Sequence, residues 1–333
     1  MSGVSTVSND NFAHDLDAIQ VMRLLSASLV LLIHAHVFSE GEWAVDLFFV
    51  ISGFIIPWVA HDTVKVFFIK RIVRIAPLYW VATLAIAAIG LFKPSLLGDT
   101  TVSLEYFLKS IFFVPFDKNG VGFSPLLFLG WTLNYEVYFY LLFALSMRFC
   151  KQHVILCTSM LIIILKIMMM TILADFSLSR FYGDSIVLEF VVGMLLFQVW
   201  RDFRPLIYRY RYLLAAIFGA ASTMLLFYNT QDRFLNYGLL ASAVFVTIFV
   251  LLMGQRVNRF LMALGDAAFS VYITHIFIID LFLRVIFPQL GYSPDVVARI
   301  ILAAGCMIFG HLFYVHIESL VLKSVRKRVL SMV

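Results

Sequence analysis

Stretches of about twenty apolar residues recur along almost the whole chain, each able to cross the roughly 30 Å hydrocarbon core of a bilayer as a helix. Ten can be read, at 18–38, 43–60, 75–92, 125–149, 153–174, 185–200, 212–228, 235–253, 267–287 and 296–322. The sixth is short and the last is long. Residues 104–116 are too few to span and read as a helix lying in the interface. In lipid, backbone groups must pair within a helix or a closed barrel, and the period-two alternation of barrel strands is absent. The fold expected is all-α and polytopic, with about ten transmembrane helices.

Composition excludes the other classes. Hydrophobic residues make up 62% of the 333 and charged residues 14%, against roughly 45–50% and about 25% in a soluble domain. A soluble globule could not cover that much apolar surface, and disordered and disulfide-scaffold chains fail on the same figures. Cys150, Cys157 and Cys306 lie in or beside apolar runs without metal-ligand spacing, which suits packing. The net charge of +5 does not call for a nucleic-acid partner, because loop placement explains it. With the N-terminus inside, sixteen of the 25 Lys and Arg lie in inside loops or the C-terminal tail, five lie outside and four lie within spans. That bias places both termini in the cytoplasm. Residues 1–17 show neither a basic n-region nor a cleavage site, so no removable signal peptide is expected. Without repeats, low-complexity tracts or long linkers, 1–333 reads as one membrane domain, with 1–17 a cytoplasmic segment and 323–333 a basic cytoplasmic tail.

Ionisable groups inside spans cost about 3 kcal/mol or considerably more near the bilayer centre, so they face a cavity, pair, or serve function. Arg23 and His34 stand eleven residues apart in the first span, hence on one face and about 16 Å apart along the axis. Imidazole titrates near neutrality, which suits His34 to act as an intramembrane base; a histidine bonded to a neighbouring helix is the competing reading. His36 points to the opposite side, so no two-histidine metal site, and no metal, is expected. Asp46 opens the second span as a partner for Arg23 or His34, or as a simple helix-start charge. Ser52 and Gly53 follow, the glycine suiting close helix packing.

Arg71 and Arg74 share a face at the cytoplasmic mouth of the third span. Two guanidiniums so placed can grip phosphate, or can simply anchor the helix on the positive inside. Pro77 falls in the first turn of the span, where its missing N–H costs little. The fourth span holds Trp131, Asn134 and Glu136 among apolar residues. A buried carboxylate needs a cation or a proton, and Arg23, Arg71 and Arg74 are the candidate partners. The ninth span holds Tyr272, His275, Asp280 and Arg284; the last two are i,i+4 and satisfy each other, while His275 stays open between structure and function. Lys166 reads as a snorkelling residue with Glu189 as its partner.

In this order, IQVMRLLSASLVLLIHAH, VDLFFVISGFII, Arg71-x-x-Arg74 followed by Pro77 and Tyr79-Trp80, GWTLNYEVYFYLLF and GDAAFSVYITH resemble the motifs of the acyltransferase-3 family of integral membrane acyltransferases. The resemblance spans nearly the whole chain. Within the family, the opening IQ, the TLNYE segment and the absence of an appended esterase-like domain look most like bacterial exopolysaccharide O-acetyltransferases. Ala18, Gln20–Met22 and Lys70 depart from the commoner wording, and none of them is a residue expected to do chemistry.

The resemblance implies that His34 is the essential histidine, that Arg71 and Arg74 engage the acyl donor, and that Arg23 and Glu136 support catalysis. Asp46, Trp131, Tyr272 and His275 are supporting candidates. It implies transfer of an acetyl or other short acyl group from cytoplasmic acyl-CoA, a co-substrate rather than a resident cofactor, to a hydroxyl of a cell-envelope saccharide. The acceptor would be exopolysaccharide or its lipid-linked precursor, in a bacterial inner membrane, with a polysaccharide-synthesis complex as a partner. His34 would deprotonate the sugar hydroxyl for direct attack on the thioester, or would itself carry the acyl group. A transporter or saccharide flippase using the buried charges for gating is the alternative class, and an inert member of a synthesis complex a third.

Overall fold

A computed structural model describes residues 9–39, 41–97, 101–117 and 122–330 of the chain. Residues 1–8 of the N-terminal segment, Lys118 and the last three residues of the basic tail lie outside that description. The described residues form helices α1 (Asn9–His34), α2 (Trp43–Val59), α3 (Val64–Phe92), α4 (Leu104–Ile111), α5 (Gly130–Phe149), α6 (Val154–Thr171), α7 (Ser177–Tyr182) and α8 (Val187–Leu225). After these come α9 (Leu239–Leu252), α10 (Arg259–Asp266), α11 (Ala268–Asp280), α12 (Phe287–Gln289), α13 (Val296–Phe313) and α14 (Ser319–Leu330). Looser π-helical segments join α11 to α12 at Leu281–Ile286 and α13 to α14 at Tyr314–Glu318. Among the described residues no strand forms, only an isolated bridge between Asp117 and Phe123.

Seven helical stretches among the described residues are long and apolar enough to cross a membrane. The chain is a multi-pass, all-helical membrane protein. Every one of the ten stretches read from sequence falls on a helix, but not all of them reach the seven. α2, at 17 residues, is short. α5 has the length, at 20 residues, but Asn134 and Glu136 make it less apolar. The two stretches at 185–200 and 212–228 belong to one helical run, α8, whose 39 residues would measure about 58 Å if straight, far more than one crossing needs. Its backbone leaves helical geometry at Phe203 and Tyr210, on either side of Pro205, which separates the two halves.

Of the boundaries that differ from the sequence reading, three have a local cause. α1 stops at His34, not at residue 38, because His36 adopts a left-handed backbone (φ 56°). α3 starts at Val64, well before 75, where the Thr63 hydroxyl accepts from the Val66 N–H at 3.4 Å. Pro77 therefore sits inside α3 rather than in a first turn. The interfacial helix is shorter than 104–116, ending at Ile111, where Phe113 takes a left-handed conformation.

Two compact units make up the chain, one of residues 1–51 and 196–311, the other of 52–195 and 312–333. In the first, α1 packs against α9, α10 and α11. A polar tie within it is Asp15, wholly buried, which accepts from Arg204 Nε (2.7 Å), the Trp200 indole (3.1 Å) and the Gly254 N–H (2.9 Å). In the second, α5 packs against α3 and α6, with Phe67 on Phe143 and Phe139 stacked on Phe190. Gly53 lets α2 lie against the α8 backbone: a Cβ there would stand 2.3 Å from the Phe190 carbonyl oxygen, which is the close packing its position suggested.

Candidate functional site

In the first unit, α1 delivers His34 with its last residue and α11 delivers His275 from its interior. The two rings meet: His275 Nε2 lies 2.9 Å from His34 Nδ1, with centroids 5.0 Å apart and planes tilted by 32°. His275 is 1% exposed, and its Nδ1 lies 3.0 Å from the Val271 carbonyl oxygen one turn back. A carbonyl only accepts, so that nitrogen carries a proton. The helices that carry the pair share an apolar cluster that includes Ala27, Leu31, Ala268, Val271 and Cys306. Tyr272 borders it, with its ring 6.1 Å from His275 and edge-on to Phe48 at 6.0 Å. Nothing in the periodicity of either span pairs residue 34 with residue 275; both histidines were candidates, and the contact between them is what the sequence left open.

Arg23 shares α1 with His34, and its Nη1 donates to Gln20 Oε1 at 3.2 Å. Asp46 has a partner that neither Arg23 nor His34 supplies. Arg233 closes on it with two contacts, Nε to Oδ1 at 3.2 Å and Nη2 to Oδ2 at 2.8 Å, and the carboxylate is wholly buried. By sequence Arg233 is one of the five cations that lie in outside loops. A residue 187 positions away carries no local signal of such a pairing. Asp280 and Arg284 pair with each other at 2.9 Å as their spacing required.

In the second unit, Glu136 takes two hydroxyl partners. Ser52 Oγ donates to Oε1 at 2.9 Å, and Tyr140, one turn further along α5, donates to the same oxygen. Both hydroxyls converge on one oxygen of this carboxylate, and Arg71 and Arg74 belong to the same unit. Tyr140 was missed although it stands four residues after Glu136, a spacing that makes contact on a helix. Ser52 was visible only as a polar residue in an apolar span. Trp131 lies a turn before Tyr135 and meets its ring edge-on at 6.0 Å. Asn134, 1% exposed, has no hydrogen-bond partner for its side-chain amide among the described residues. Lys166 donates to the Gly183 carbonyl at 3.0 Å and not to Glu189.

One unit thus holds a hydrogen-bonded imidazole pair, the group best suited to move a proton near neutrality. The other holds a carboxylate that accepts from two hydroxyls, and the guanidiniums of Arg71 and Arg74, groups suited to anionic ligands. Proton removal and stabilisation of developing negative charge are what acyl transfer to a hydroxyl requires.

Comparison with known proteins agrees with this chemistry. A family model described as an acyltransferase domain matches residues 16–317. The exopolysaccharide production protein ExoZ of Rhizobium meliloti (strain 1021) is 34% identical over 257 residues, covering 74% of this chain and 78% of that protein. The acyltransferase MdmB of Streptomyces mycarofaciens is 32% identical over 126 residues, 35% of this chain and 31% of that protein. No solved structure matches. With the family match running through both units and every motif quoted above, the chain belongs to the acyltransferase-3 family.

Proposed function

We propose that this acyltransferase moves an acetyl or other short acyl group from cytoplasmic acyl-CoA to a hydroxyl of a cell-envelope saccharide, exopolysaccharide or its lipid-linked precursor. The observation that carries the reading is the imidazole pair of His34 and His275, set in helices apolar enough to span a bilayer. The similarity to an exopolysaccharide production protein supports the acceptor class. His34 acts as the general base. Arg71 and Arg74 engage the donor, and Arg23 and Glu136 support the transfer, with Asp46, Trp131 and Tyr272 holding the surroundings. Both termini face the cytoplasm of a bacterial inner membrane, where the positive loops belong and acyl-CoA is made. A polysaccharide-synthesis complex supplies the acceptor.

Incubating the purified protein with radiolabelled acetyl-CoA and cell saccharide tests the reading. Label on the saccharide is expected with the native chain, and a fall of about 10²–10⁴-fold with His34→Ala, the usual worth of a positioned base. Saccharide uptake independent of any donor would replace the enzyme with a transporter.

A further inference from the structure

The position of one proton follows from the Val271, His275 and His34 contacts. Nδ1 of His275 faces a carbonyl oxygen at 3.0 Å and has to be the protonated nitrogen. A neutral imidazole has one N–H, so its Nε2 carries the lone pair and accepts. What Nε2 faces, at 2.9 Å, is Nδ1 of His34, which must therefore donate. With Nδ1 of His34 protonated, the basic lone pair of a neutral His34 lies on Nε2, at the far side of the ring from His275.

We infer that His275 is the positioning residue of the transfer reaction: through the Val271 carbonyl it fixes His34 in the tautomer whose Nε2 is the base. The inference rests on His34 being the general base. It gives His275 the part that a carboxylate plays behind the histidine of serine proteases, with a second imidazole as the acceptor and a main-chain carbonyl as its anchor. Nε2 of His34 takes the proton of the acceptor hydroxyl as that oxygen bonds to the thioester carbonyl carbon. The C–S bond breaks, and the proton returns to the departing thiolate, leaving the ester and the CoA thiol. Throughout, Nδ1–H of His34 stays on His275, whose neutral Nε2 stabilises the transient imidazolium. Burial of His275, 1% exposed, keeps water from supplying its alternative tautomer's partners.

The test reads the tautomer directly. The full-length protein, labelled with ¹⁵N-histidine and held in lipid nanodiscs, contains eight histidines. Difference spectra against His34→Gln and His275→Gln assign the two rings. Expected is protonated Nδ1 with bare Nε2 on both; a His34 protonated at Nε2, or a charged His275, overturns the inference. The second reading is rescue. His275→Leu should lower acyl transfer about 10²–10⁴-fold while the protein still elutes as a single species, the range set by tautomer loss in serine proteases and by general-base catalysis. His275→Gln, whose amide oxygen can accept from Nδ1–H of His34, should recover most of it. Transfer at the native rate by His275→Leu, or equal loss in both variants, also overturns it. Should His34→Ala keep native transfer, the general-base reading fails on activity, whereas the ¹⁵N pattern reports the hydrogen-bond chain without turnover and separates the two failures.

Discussion

Asp46 and Arg233, 187 residues apart, form a two-contact ion pair around a carboxylate with no exposed surface. The Tyr237 ring lies 5.6 Å from the guanidinium carbon and covers it from one side. Breaking a buried pair from one end costs about 3–5 kcal/mol, because the charge left behind has lost its compensation. The side chain of Arg233 is 25% exposed, so the lower end applies. Arg233→Ala should therefore lower thermal stability in detergent by about 3 kcal/mol. Asp46→Asn combined with Arg233→Gln, which removes both charges, should cost distinctly less than that single change. Equal losses would mean that the pair does not hold the fold.

Gly310 and Gly305 both lie in α13 and meet different surroundings. A Cβ on Gly310 would stand 2.6 Å from Val271 Cγ2 and 2.7 Å from its Cα, whereas a Cβ on Gly305 would meet nothing within 4 Å. Backbone cannot yield as a side-chain end can, so Gly310→Ala should cost about 1–3 kcal/mol through overpacking. Gly305→Ala should be neutral or stabilising by up to about 1 kcal/mol, since alanine is the better helix former. Because Val271 anchors His275, Gly310→Ala should also slow acyl transfer per folded molecule. Paired thermal unfolding and transfer assays check both, and similar behaviour of the two variants would refute the close approach.

Helical class and the positions of the apolar helices were legible because twenty-residue apolar runs leave lipid-embedded backbone few other options. Local pairing was legible too, as in Asp280 with Arg284, where periodicity alone brings i and i+4 together. Partners fixed by tertiary packing were not. Nothing local announces Arg233 behind Asp46 or His275 behind His34, since each contact joins helices far apart in sequence. The early start of α3 was hidden by a different effect: its first turns carry Lys65, Lys70, Arg71 and Arg74, so the apolar signal begins later than the helix.

Glu136 gives a cycle that measures its own environment. Ser52→Ala and Tyr140→Phe each remove one donor to the same carboxylate oxygen. Hydrogen bonds to a charged group are worth about 1.5–3 kcal/mol, so each variant should unfold earlier by about that much. Two donors on one oxygen share it, and the double variant should depart from additivity by at least about 0.5 kcal/mol. In a Glu136→Gln background both single effects should shrink. Additive losses that persist with glutamine would place the two hydroxyls in independent structural roles.

Arg71 and Arg74 separate the donor reading from the anchor reading. If their guanidiniums grip donor phosphates, Arg71→Ala or Arg74→Ala loses a charge-assisted contact worth about 1.5–3 kcal/mol. At about 1.4 kcal/mol per tenfold, that raises the KM for acyl-CoA by about 10- to 150-fold. The KM for the saccharide should stay within about twofold, since phosphate binding does not touch the acceptor. Arg→Lys at either position keeps the charge but not the planar fork, and should recover only part of the loss. Raising salt should weaken the native enzyme's donor binding more than that of the alanine variants, as screening acts on the contact they lack. A positive-inside anchor would behave otherwise: lysine would replace arginine fully, the donor KM would not move, and the loss would fall on membrane insertion instead. Measuring both KM values across native, alanine and lysine forms at two salt concentrations decides between the readings.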